Sequence, residues 1–126
     1  MGTRRRSAAP RGRTRRRRSP LAAGVLVVMV TAPSADKAAE IARALVEERL
    51  AACGNVVPQL RSIYRWEGAV QDEAEALLLL KTTRARLEAL RARVLSLHPY
   101  QVPEVIALPV EGGHAGYLAW IAAGTR

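Results

Sequence analysis

Few side chains here are able to do chemistry, and their types narrow the options. Cys53 is the one cysteine, so the chain holds no internal disulfide and no cysteine pair for a zinc or redox centre. The two histidines are His98 and His114. Copper would need thiolate, thioether or imidazole donors converging in space. His98 is a candidate donor, but a lone histidine before Pro99 is more often a helix C-cap donating to the last carbonyls than a ligand. His114 reads as a loop residue at a helix start. Cys53, at an expected helix end among alanines, reads as a small buried apolar group or as a reactive thiolate. A Cys53 nucleophile with His98 as its base would also need an orienting group and an oxyanion site. The sequence marks neither, and contains no Gly-x-Ser-x-Gly and no phosphate loop, so no enzyme is expected.

A second set mixes aromatic faces with charges at strand ends and loops. Tyr64, Trp66, Glu67, Lys81, Tyr100 and Glu104, with Cys53 beside them, have the composition of a ligand cleft at a subunit interface. In that cleft Lys81 would attract a small anion between walls made by Tyr100 and Trp66. The bland alternative makes Tyr64 and Trp66 interface anchors and pairs Lys81 with a carboxylate.

The elements that must hold these residues follow from periodicity. Val25–Thr31 is a continuous apolar, mostly β-branched run, the pattern of a strand buried on both faces. Ser34 caps a helix whose apolar positions Ala38, Ile41, Ala42, Leu45 and Val46 recur at helical spacing, running to about Ala52. Val56–Glu67 alternates like a strand, and Pro58 requires a bulge, a bend or an edge position. Glu67-Gly68 turns the chain into a partner strand, Glu73–Thr82. Thr83 then caps a second helix with the stripe Leu87, Leu90, Val94 and Leu97, ended by Pro99. Val102–Val110 is a fourth strand, and Tyr117, Leu118, Trp120 and Ile121 lie on a short C-terminal helix. The order β-α-β-β-α-β plus a helix predicts an α+β, ferredoxin-like sandwich: one antiparallel sheet with a long hairpin and both helices on one face. The crossover rule puts the first and third strands at its centre. The second strand is then an edge, yet it carries Leu60, Ile63, Tyr64 and Trp66. An apolar edge left bare would aggregate, so copies are expected to cover one another.

The net charge of +9 is local, because nine of the 20 Lys and Arg lie within residues 1–18, which hold no acid. Downstream, 11 basic residues balance 11 acidic ones, so the body as a whole is not a nucleic-acid binder. Residues 1–22 are expected to be a disordered Arg-rich tail, with the folded domain over 23–126. The tail suits an arm for phosphate backbones, an organelle-targeting leader, or an extension with no task. No run reaches the roughly 18 apolar residues of a membrane span, and the composition suits the cytoplasm.

Several segments resemble the CutA divalent-cation tolerance family in order and spacing across residues 25–123. They are Val30-Thr31-Ala32-Pro33, Glu48-Arg49-Leu50-Ala51-Ala52-Cys53, Ser62-Ile63-Tyr64-Arg65-Trp66-Glu67-Gly68, Lys81-Thr82-Thr83, His98-Pro99-Tyr100-Gln101-Val102-Pro103-Glu104 and Tyr117-Leu118-Ala119-Trp120-Ile121. The resemblance implies a homotrimer whose long hairpins pair between protomers, a link to copper tolerance and a likeness to trimeric nitrogen-signalling proteins, and it establishes no catalytic reaction. It implies no required cofactor, with copper or another divalent cation as the metal. Copper-binding members place a cysteine before Thr-Ala-Pro and paired histidines before Pro-Tyr. This chain has Val30 and Leu97 there, leaving His98 alone as the metal candidate.

Overall fold

The structure, a computed structural model, describes residues 24–126. The tail expected over residues 1–22 lies outside them. The elements run β1 (Val25–Ala32), α1 (Ala35–Glu47), β2 (Cys53–Trp66), β3 (Ala69–Thr83), a 3-10 turn (Arg84–Arg86), α2 (Leu87–Leu97), β4 (Ile106–Pro109) and α3 (Ala115–Gly124). The sheet order is β2-β3-β1-β4, with every neighbouring pair antiparallel. This is the expected ferredoxin-like arrangement, with the two most continuously apolar strands at the centre and β2 at an edge.

One face of the sheet is sealed. Val28, Val30 and Ala32 of β1 and Ala76, Leu78 and Leu80 of β3 alternate onto the side where α1 brings Ala38, Ile41, Ala42 and Leu45, and α2 brings Leu90 and Val94. Gly54 is required where β2 passes beneath α1: a Cβ there would sit 2.9 Å from the Ala42 Cβ and 3.1 Å from a Leu80 methyl. A smaller cluster of Val25, Leu118 and Ile121 fastens α3 to the sheet. The residues between those in the core, Val27, Met29, Thr31, Leu77, Leu79 and Lys81, point to the opposite face and are half-buried.

Several boundaries differ from expectation: β2 already opens at Cys53 rather than Val56, and a 3-10 turn over Arg84–Arg86 separates Thr83 from α2. α1 stops at Glu47 rather than near Ala52 because Arg49 takes a left-handed φ of 61°, and the Leu50 and Arg49 N–H groups bond back to the Leu45 and Val46 carbonyls. That closure normally uses glycine at the left-handed position, and here an arginine occupies it. β3 begins at Ala69, four residues before Glu73, because the hairpin continues through Gln71, Asp72 and Glu73 paired to Tyr64, Ile63 and Ser62. β4 is only Ile106–Pro109, since Pro103 and the loop around it leave the ladder. The hairpin turn Glu67-Gly68 has positive φ at both residues, 49° and 82°, the geometry that matches the twist of paired strands. A register shift between Val57 and Leu60 spends one extra residue of β2 at Pro58-Gln59, the bulge that a proline in this strand demands.

Candidate functional site

Four of the residues singled out above, Tyr64, Trp66, Tyr100 and Glu104, line one cavity of about 600 Å³ beside the β2 edge. Thr31, Ser62, Ile63, Glu73, Glu75, Gln101 and Val102 complete its lining. The strand ladder positions most of these. Ser62 lies opposite Glu73 and Leu60 opposite Glu75, so Ser62, Tyr64 and Trp66 share a face with the two glutamates. The loop after α2 then brings Tyr100 through Glu104 over that face.

Two tyrosine–carboxylate bonds organise the cavity. The Tyr64 hydroxyl donates to Glu73 Oε1 at 2.6 Å, and the Tyr100 hydroxyl donates to Glu75 Oε2 at 2.6 Å. Glu75 is 8% exposed, so its carboxylate depends on that donor. The hydrogen bond to Glu73 pushes the Tyr64 phenol up to about 12. Burial, then the bond to Glu75, raises the Tyr100 phenol further. Burial and the neighbouring Glu75 also raise the Glu104 carboxyl. The charged residues that line the cavity, Glu73, Glu75 and Glu104, are all acidic. Among the described residues that line it there is no Lys, Arg or His.

Lys81, Cys53 and Glu67 lie elsewhere. Lys81 sits directly opposite Cys53 at the far end of the β2–β3 ladder, where its ammonium donates to the Asn55 side-chain oxygen. It pairs with an amide, not with a carboxylate, and does not face Tyr100 or Trp66 across the cavity. Cys53 opens β2 as a half-buried thiol 3.5 Å from the Tyr117 hydroxyl, and Tyr117 stacks on Trp120. Glu67 is spent on the hairpin turn.

His98 is a corrected expectation. Only its backbone N–H caps α2, bonding to the Val94 carbonyl at 2.9 Å; the ring reaches instead to the Thr31 carbonyl, 2.7 Å from Nε2. The Tyr100 backbone N–H donates to Nδ1 at 3.2 Å. A carbonyl can only accept, so Nε2 carries the proton and Nδ1 is the acceptor. Both ring nitrogens are engaged, and no lone pair remains for a metal. Thr31 and Val27, which pair with Leu77 and Lys81, are four residues apart on β1, so His98 and Cys53 sit at opposite ends of the sheet, roughly 13 Å along the strand. Within one subunit His98 and Cys53 therefore share neither a copper ion nor a Cys–His dyad. Among the described residues no three His, Cys, Asp or Glu side chains converge to hold a metal ion. His114 is the residue before α3, and its carbonyl, rather than its ring, takes the Tyr117 and Leu118 N–H groups.

Sequence reasoning missed Glu73 and Glu75. Their spacing of two within the strand expected over Glu73–Thr82 was the available signal, and the pairing with β2 shows which face they share.

The family model for the CutA1 divalent ion tolerance protein matches residues 26–124, nearly all of the described fold. The chain belongs to the CutA1 family. It is 56% identical over 95 residues to the divalent-cation tolerance protein CutA of Thermus thermophilus, covering 75% of this chain and 92% of that protein. It is 50% identical over 97 residues to mouse protein CutA, covering 77% of this chain and 55% of the mouse protein, so it spans about half the length of that relative. The solved Thermus CutA1 structure superposes with a TM-score of 0.79 at 53% identity, over 81% of this chain and 99% of that one. CutA1 membership accounts for the fold and for the chained motifs. Among the described residues no helix is long and apolar enough to cross a membrane.

Proposed function

We propose that this CutA1 protein is a nonenzymatic homotrimer that contributes to divalent-ion tolerance by binding a small ligand in the cleft beside β2. The cavity of about 600 Å³ carries the reading, because it is built from ladder positions at a sheet edge and a loop. Its size is in the range of small-ligand sites.

The assembly is supported by the surface left open. β2 has one sheet neighbour among the described residues, and its hairpin exposes Ile63 and Val70 at 66% and 63%. Tyr64 and Trp66 are about two-fifths exposed, and Ile106 and Leu108 of β4 are about half exposed. Such an edge templates further pairing unless it is covered. Copies arranged in a closed ring cover it and give the cleft a further wall; three is the number that the family likeness implies. The imidazole of His98 is assigned to holding the Tyr100 loop on β1, so copper is not routed through it. The compartment we propose is the cytoplasm, where the lone thiol of Cys53 stays reduced.

Growth of a copper-sensitive strain lacking its own CutA tests the reading. The wild-type chain restores tolerance, and Trp66→Ala, checked for folding and for trimeric sedimentation, does not. Full complementation by a trimeric Trp66→Ala protein removes the cleft from the function.

A further inference from the structure

We infer that the cleft takes a small organic cation, an alkylammonium or guanidinium group, and rejects small anions. The inference rests on the cleft reading above and specifies its ligand. Glu73, Glu75 and Glu104 all line the cavity, and among the described residues no Lys or Arg forms an ion pair with any of them. Glu75 is nine-tenths buried, so its charge acts through a poorly screened medium. A mobile cation is the group that balances this set.

The walls are as informative as the charge. Tyr64, Trp66 and Tyr100 present ring faces, and aromatic faces attract cations through their quadrupole, Trp most strongly. An aromatic lining with carboxylates at intervals is the chemistry that recognises an organic ammonium or a guanidinium. A bare metal ion fits less well. It needs donors converging on a point, whereas the glutamates are distributed around about 600 Å³ and no three-donor cluster forms among the described residues. Glu73 and Glu75 each already accept a tyrosine O–H, which leaves capacity for N–H donors from a ligand. An anion fits least, since the lysine expected to draw it is held by Asn55 away from the cavity.

Calorimetric titration of the full chain with butylammonium and butylguanidinium chlorides tests this, with butanol and butyrate as the neutral and anionic counterparts at matched ionic strength. Both cations should give saturable binding that butanol and butyrate lack. Glu104→Gln should weaken it by roughly tenfold, the effect of one lost charge contact worth about 1.4 kcal/mol. Trp66→Ala should weaken it too, while Lys81→Ala leaves it unchanged. Butyrate binding that depends on Lys81 overturns the cation assignment. So does the absence of cation binding, as when basic side chains of a neighbouring copy already fill the cleft. Cation binding that survives both Glu104→Gln and Trp66→Ala overturns it as well, by placing the cation elsewhere. The cleft reading itself is judged separately, by the growth assay, which names no ligand.

Discussion

Replacing Tyr100 by Phe deletes one oxygen and probes the bond that holds the cleft together. The lost hydroxyl donates at 2.6 Å to a carboxylate on a residue 8% exposed, so water cannot readily replace it. Hydrogen bonds to charged groups contribute about 1.5–3 kcal/mol, and a buried acceptor left without its donor costs a comparable amount. Tyr100→Phe should therefore destabilise by about 2 kcal/mol. With a urea dependence of about 2 kcal/mol per molar for a small domain, the midpoint falls by about 1 M. Because an oligomer's stability depends on concentration, all variants are compared at one protein concentration. Glu75→Gln and the double variant complete a cycle whose coupling should be about 1 kcal/mol or more. The pH dependence supplies a second readout. The folded protein raises the Tyr100 phenol above its ordinary value of 10.0. It therefore holds that proton more tightly than the unfolded chain does. The associated stability is complete below pH 10 and is lost as pH rises through the folded value. Tyr100→Phe should flatten part of this alkaline decline, leaving the smaller part due to the more exposed Tyr64. A midpoint shift under about 0.25 M urea, no coupling to Glu75 and an unchanged alkaline limb together would refute the reasoning.

Other perturbations test the frame around the cleft. Gly54→Ala places a methyl 2.9 Å from the Ala42 Cβ and should cost about 1–3 kcal/mol, read as a lower denaturation midpoint; an unchanged midpoint means that α1 does not press on β2 there. Glu67→Asn suits the left-handed φ of 49° better and should stabilise by about 0.5–1 kcal/mol in the same assay. A loss of stability would show that the glutamate contributes more than its backbone conformation costs. His98→Ala should lower the thermal midpoint, because Thr31 and Tyr100 both lose a partner, yet leave the copper titration curve unchanged. Loss of a saturable copper step in that variant would restore His98 as a ligand.

The strand order was legible because burial writes itself into composition: the runs in β1 and β3 could only belong at a sheet centre. Pro58 called for a bulge, a bend or an edge, and the structure has a bulge there in an edge strand. Other features left no local trace. Arg49 closes α1 in a conformation usually marked by glycine, so the helix seemed longer than it is. The stretch Ala69–Glu73 pairs as a two-stranded ribbon with solvent on both sides, and such a ribbon has no apolar alternation to detect. The role of His98 is set by a carbonyl 67 positions earlier in the chain. Lys81 was grouped with Trp66 because both are strand residues near charges, and only the register shows that they occupy opposite ends of the ladder. For the candidate site, the aromatic half was visible in the sequence, while the carboxylate half needed the pairing of β2 with β3.

The additional residue at Pro58-Gln59 acts as a phase shifter for everything beyond it. Before it, odd-numbered residues of β2 such as Val57 face the Leu77 side of the hairpin; after it, even-numbered ones do, among them Tyr64 and Trp66. Had the same residues paired without the bulge, the register would run on from Val57 opposite Leu77, and the distal ribbon would turn its other side to Glu73 and Glu75. Gln59 and Arg61 would then lie opposite Glu75 and Glu73, with Ile63 and Arg65 on that face, and the aromatics would look away. Which side chains build the cleft is thus decided by where the ladder absorbs one extra residue, before the identity of any of them matters.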